Sequence, residues 1–157
     1  MKKLIQSILT KTWIKLGNES LRSFQDRNLP GVYLLAWTDN EIENTRPKLS
    51  DIFYVGMSNA KGGVKGRLKQ FINGIEKNTS HSAGMRFFKE YCHDKPFSST
   101  KNTKNFYFIP QCLKCNVIKE ERTPNDLQTM GEVARLEYYL LAYIKENNKN
   151  EPELNKK

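Results

Sequence analysis

The sequence predicts an α+β fold, on three observations. Residues 31–37, 52–57 and 106–109 are short apolar runs of strand length, rich in β-branched and aromatic side chains. Residues 4–16, 64–75 and 133–144 instead repeat apolar side chains at helical spacing. The first two strand-like runs are joined by a polar loop, residues 38–50, that contains no crossover helix, so they are expected to pair antiparallel.

Taken in order, Leu4, Ile5, Ile8, Leu9, Trp13 and Leu16 mark an amphipathic helix ended by Gly17 and Asn18. A second short helix spans Leu21 to Phe24 and stops before Pro30. Residues 1–29 therefore read as an N-terminal helical extension packed on one side of a sheet, with the main domain in 30–157. Gly31-Val32-Tyr33 opens a run that is apolar on both faces through Trp37, which marks a central strand. The second strand carries Tyr54-Val55-Gly56 into the turn Asn59-Ala60-Lys61-Gly62-Gly63, from which a helix leaves bearing Lys65, Arg67 and Lys69. Val64, Leu68, Phe71, Ile72 and Ile75 form the buried stripe of that helix. At roughly 100° per residue, Arg67 falls beside the stripe and can enter a cleft above the sheet.

Residues 78–82 break the pattern, and Ser80 or Ser82 is the expected cap of a helix holding Met85-Arg86-Phe87-Phe88. A polar loop, 93–105, leads to the third strand, which continues past Pro110 toward Ile118. The last helix starts near Pro124 and runs to about Asn147, burying Val133, Leu136, Leu140, Tyr143 and Ile144. Glu137 falls within that apolar stripe. A carboxylate there is costly unless a cation, a metal or a hydrogen-bond donor meets it.

A chain of 157 residues is long enough for one core and is expected to form one domain. Lys and Arg number 26 against 17 Asp and Glu, a net charge of +9, which favours a polyanionic partner, nucleic acid ahead of a membrane surface. No segment is long and apolar enough to span a bilayer. The opening Met1-Lys2-Lys3-Leu4-Ile5 imitates a signal peptide until Gln6, Ser7 and Lys11 interrupt it. Three cysteines, an odd number, do not suggest a disulfide framework and point to a reducing, cytoplasmic compartment.

Gly31-Val32-Tyr33, Tyr54-Val55-Gly56, Arg67, His81, Glu137 and Pro152-Glu153-Leu154-Asn155 follow one another in that order. The series, from about Leu29 to Asn155, resembles the GIY-YIG nuclease family, named for its two tripeptides. The resemblance implies a small three-stranded antiparallel sheet flanked by helices, and divalent-metal-dependent cleavage of a phosphodiester bond. Tyr33 and Tyr54 match the tripeptide tyrosines, Arg67 the arginine of the following helix, Glu137 the metal-binding glutamate and Asn155 the terminal asparagine. Four departures stand out. Valine replaces isoleucine in both tripeptides, residues 38–50 form a longer connection than is usual, and Phe71 stands where many members have histidine. The chain also stops two residues after Asn155, without an added DNA-binding domain. His81 either takes the missing histidine's role or is a loop histidine.

Phosphodiester hydrolysis needs an activated water, neutralised phosphoryl oxygens and a stabilised leaving oxygen. A single carboxylate, Glu137, suits Mg²⁺ or Mn²⁺ sharing its ligands with substrate and water. Arg67 would clamp the phosphate, Tyr33 would act as general base or water-positioning group, and Tyr54 would hydrogen-bond the water or the phosphate. Asn155 would orient Glu137 or hold the tail against the site. Lys61, Lys65 and Lys69 are the expected DNA phosphate contacts, and a protein partner or homodimer would be a source of specificity.

Two other readings compete. Cys112 and Cys115 have the spacing of zinc ligands, with Cys92-His93 upstream, which would give a basic nucleic-acid-binding module with a structural zinc. The second pair is poor, because adjacent residues on a regular element point different ways, and buried free cysteines are the plainer expectation. The remaining alternative keeps the fold as a noncatalytic DNA-binding module.

Overall fold

The computed structural model describes residues 1–156 and is an α+β structure with helices on both faces of one antiparallel sheet. The elements are α1 (Lys2–Leu9), β1 (Ile14–Lys15), α2 (Asn18–Ser23), β2 (Gly31–Thr38), β3 (Tyr54–Ser58), α3 (Gly63–Lys77), α4 (Ser82–Glu90), β4 (Asn105–Cys112) and α5 (Pro124–Asn148). The sheet order is β1-β4-β2-β3, so β2 is central and β3 is an edge. The antiparallel pairing of β2 with β3 agrees with the loop-length argument, with Tyr33 opposite Gly56 and Leu35 opposite Tyr54.

Four strands replace the expected three, because Ile14 and Lys15 leave the first helix and pair with Phe108 and Tyr107. The helix ends at Leu9, not Leu16. Thr10, Thr12 and Ile14 are β-branched at alternate positions, and an extended segment here gives β4 an edge partner, which outweighs the helical spacing. Trp13 follows the same path: its N–H donates to the Thr45 carbonyl at 2.9 Å.

Alternation along β2 divides the core. Val32, Leu34 and Ala36 pack with α1, α5 and Trp13 on one face. Tyr33, Leu35 and Trp37 pack with α2, α3 and α4 on the other. The first helices therefore lie on opposite faces, instead of together on one side. β4 ends at Cys112, short of Ile118, and passes through Pro110 without losing a rung to β2. The Pro110 carbonyl accepts Lys11 Nζ at 2.7 Å on the outer side of β4, the side on which its missing N–H also falls. Among the described residues, no helix is long and apolar enough to cross a membrane.

α3 and α4 approach until their backbones touch. A Cβ on Gly74 would lie 2.8 Å from Gly84 Cα, and one on Gly84 would lie 2.7 Å from the Phe71 carbonyl oxygen. Gly131 in α5, by contrast, has nothing within 4 Å of the space a Cβ would fill. Gly74→Ala should therefore cost about 1–3 kcal/mol in urea unfolding, the range for overpacking a tight contact. Gly131→Ala should instead stabilise by about 0.5–1 kcal/mol through helix propensity.

Candidate active site

Tyr33 and Tyr54 sit on the same face of the sheet, on β2 and β3, and meet across Gly56. Tyr33 is fully buried and Tyr54 is 6% exposed, with ring centroids 6.1 Å apart. A Cβ at position 56 would lie 2.6 Å from Tyr33 Cζ, Tyr33 Oη and Tyr54 Cε1. The glycine is therefore what lets one phenol cross the strand and reach the other.

His81 comes to the same place from α4. It is buried, and its side chain caps that helix, the task expected of Ser80 or Ser82. Nδ1 accepts the Gly84 N–H at 3.2 Å. In the neutral ring the proton must then reside on Nε2, which stands 3.1 Å from Tyr33 Oη and donates to it. His81 packs edge-on against Phe71, at 5.5 Å between centroids. The cap of α4 thus places an imidazole beside Phe71 of α3.

Burial, and the positive charges of Arg67 and Arg86, push the His81 pKa down to about 3. The ring is neutral at physiological pH and acts as a donor, not as a base. Burial likewise raises the Tyr33 phenol well above its ordinary value, with the Tyr54 phenol adding to the effect. Arg67 opposes this through its charge and as a hydrogen-bond donor, and Glu137 adds to it. Tyr54 is raised by burial and then by Glu137, while the charges of Arg67 and Arg86 and a hydrogen bond from Tyr33 lower it. His81 is thus the donor that the geometry sets on Tyr33, at 3.1 Å, with the Arg67 charge acting on the same phenol.

Arg67 is half-buried on α3, held by Nη1 donating to Gln70 Oε1 at 3.0 Å. It borders a cleft of about 350 Å³ with Ser58, Asn59 and Gln70. The first N–H groups of α3 do not point into this cleft as an anion cradle. Val64 N–H donates to Leu29 O at 3.0 Å and Lys65 N–H to Arg27 O at 2.8 Å. Gly63 permits this by adopting φ +60°, where a Cβ would strike the Asn28 carbonyl carbon at 2.3 Å. Lys61 and Lys69 are exposed beside the cleft and Lys65 is half-buried. Glu137 is buried on α5, as its place in the apolar stripe required, and its charge reaches both phenols.

Asn155 is 7% exposed and works on the backbone of edge strand β3. Its Oδ1 accepts the Val55 N–H and its Nδ2 donates to the Val55 carbonyl, both at 2.8 Å. Leu154 N–H donates to Phe53 O at 3.0 Å, so the tail continues the ladder. These bonds hold the tail, one of the two roles expected of Asn155. Arg86, which carried no role in the sequence reading, ties the tail to α4 through Nη2 and the Leu154 carbonyl at 2.8 Å. The signal for it is a cation set between Met85 and Phe87, beside the residues that the helix buries.

Cys92, Cys112 and Cys115 are all free, and burial pushes the Cys112 thiol up to about 11, which keeps it protonated. Among the described residues, no group of three or more His, Cys, Asp or Glu side chains is arranged to hold a metal ion. Comparisons with protein-family models, with curated proteins and with solved structures find no match for this chain. The family resemblance therefore rests on the named residues and their order.

The neutral, buried imidazole gives a pH test of this geometry. The unfolded chain protonates His81 below about pH 6.5 and the folded one only near pH 3. Between these values the unfolded state binds the extra proton, so stability falls as pH falls, and the effect vanishes above the window. Relative to His81→Asn, the parent should lose roughly 1.5 kcal/mol more between pH 7 and pH 5.2, measured by urea unfolding. A pH-independent difference would place His81 outside this environment.

Proposed function

We propose that the protein is a metal-dependent endonuclease that hydrolyses phosphodiester bonds in DNA. The observation that carries this reading is the convergence of Tyr33, Tyr54, Arg67, His81 and Glu137 from β2, β3, α3, the α4 cap and α5. Burying so many polar groups together is expensive for a core whose business is packing alone.

The donors fit a hard cation. One buried carboxylate whose charge reaches two phenols suits Mg²⁺ or Mn²⁺, which keep waters and share substrate oxygens, better than a thiolate-seeking ion. Glu137 would hold the cation, which when bound neutralises charge on the phosphoryl group and the leaving oxygen. Arg67, held by Gln70 at the rim of its cleft, presents its remaining donors to the phosphate. Tyr33 is the inner phenol and Tyr54 the outer one. Tyr33, the proposed base or water-positioning group, lies against Tyr54, which would hydrogen-bond the water or the phosphate. His81 fixes the inner phenol, and Asn155 keeps β3 in register beneath the outer one. Lys61, Lys65 and Lys69 contact flanking phosphates. Three free cysteines accord with a reducing, cytoplasmic setting.

The full burial of Tyr33 favours a second reading, a noncatalytic DNA-binding module built on the same fold. Nicking of supercoiled plasmid with Mg²⁺ against EDTA decides between the two. The nuclease should cleave with Mg²⁺ alone, and Glu137→Gln should lower the rate by about 10³-fold or more while DNA binding in EDTA is retained. Arg67→Ala should lose on the order of 10²–10³-fold. Cleavage by Glu137→Gln at the parental rate would contradict the metal assignment, and no cleavage by the parent under any divalent cation would leave the binding module.

A further inference from the structure

A second concave site lies at the other end of β2. It is a cleft of about 460 Å³ walled by Trp37, Phe87, Tyr91 and Phe97, with Lys95 and Lys101 at its mouth. Lys104 Nζ rests 4.5 Å from the Trp37 ring centroid, as a cover on the indole. The walls belong to one aromatic cluster: Trp37 meets Phe87 and Tyr91 edge to face at 4.8 and 5.3 Å. Lys101 and Lys104 are exposed. Trp37 and Phe87 also pack in the core on this face of the sheet, but the open side of the cleft and its lysines serve neither that packing nor the phosphodiester chemistry.

We propose that this cleft binds an unpaired nucleotide of a nucleic-acid strand, with the base against the aromatic wall and its phosphate among Lys95, Lys101 and Lys104. The inference rests on the reading of a nucleic-acid partner and adds to it a substrate class, DNA with single-stranded character. Three arguments support the occupant. The volume falls in the range of small-ligand sites and suits one nucleoside. The walls offer the flat apolar surface that a base needs, and the rim offers the charge that a phosphate needs, a pairing that an aliphatic or acidic peptide would use only in part. The cover is also weaker than the guest. An exposed cation–π contact contributes about 0.5–1 kcal/mol, whereas a stacked base contributes about 1–3 kcal/mol. A base that takes the place of Lys104 on the indole frees its ammonium for the phosphate. Trp37 and Tyr33 share one face of β2, four residues apart, which is ~13 Å, a distance that a few nucleotides of one strand span. One strand can reach both sites.

Tryptophan emission reports on the cleft directly. The chain has two tryptophans, and Trp13 is fully buried on the opposite face of the sheet, so Trp37 supplies the response. Titration with oligo(dT) in EDTA should change the emission and saturate. An abasic oligomer of equal length should leave the emission unchanged and bind at least about fivefold more weakly, the equivalent of one lost stack. Lys101→Glu with Lys104→Glu should weaken oligo(dT) binding on the order of tenfold or more. The same reversal at the exposed Lys114 and Lys119, beyond the far end of β4, should weaken it much less. Unchanged emission, an equal response to the abasic oligomer, or equal weakening by the two reversals would overturn the proposal. Because no metal is present, an emission change in a protein that never cleaves upholds the cleft and refutes the nuclease. Cleavage by a protein whose emission stays silent does the reverse.

Discussion

No side chain but hydrogen fits at position 56. A Cβ there would fall 2.6 Å from carbon and oxygen of Tyr33 and from the ring of Tyr54. Real Cβ atoms do not approach so closely, and neither tyrosine has room to retreat, since Tyr33 is sealed and Tyr54 is stacked at 6.5 Å on Phe71. The directly opposed pair Tyr33 and Gly56 therefore fixes where two phenols meet, and the rest of the candidate site is built onto that meeting point. His81 donates to the inner phenol, and the charges of Arg67 on α3 and Glu137 on α5 act on both phenols.

That arrangement depends on an edge strand, which is the weakest part of any sheet. β3 has β2 on one side, and on the other the chain's own tail supplies the missing partner. Asn155 satisfies both backbone groups of Val55, Leu154 bonds to Phe53, and Arg86 holds the tail carbonyl from α4. The edge is thus closed by a side chain that imitates a backbone, and the residue beside Val55 is Tyr54. Burial then sets the electrostatic character of the site. Both phenols resist ionisation and the imidazole resists protonation, so these three groups enter the site neutral.

Much of this was legible in the sequence. Local signals placed β2, β3, α3 and α5 within a few residues, and the period of the last helix put Glu137 in the core stripe. The first helix was overestimated because Trp13 and Leu16 continue a helical period while serving a strand and its approach; that choice is made by β4, nearly a hundred residues away. The α4 cap was expected from serine because serine is the commoner capping residue, and an imidazole at that position gives no sequence signal. The identity of Tyr33 as the inner phenol and Tyr54 as the outer one could not be read either, since alternation fixes a face and not a depth. The role of Arg86 is not legible in the sequence because its partner is a backbone carbonyl in the tail, a contact that no spacing rule encodes.

The claim on which the rest depends is that Tyr33 occupies the space Gly56 leaves open. A double-mutant cycle in urea unfolding tests it most directly. Gly56→Ala alone should cost about 1–3 kcal/mol, the range for overpacking a closed site. In a Tyr33→Ala background the ring is gone, and the same substitution should cost at least about 1 kcal/mol less, a coupling well beyond additivity. Equal costs in the two backgrounds would contradict the account.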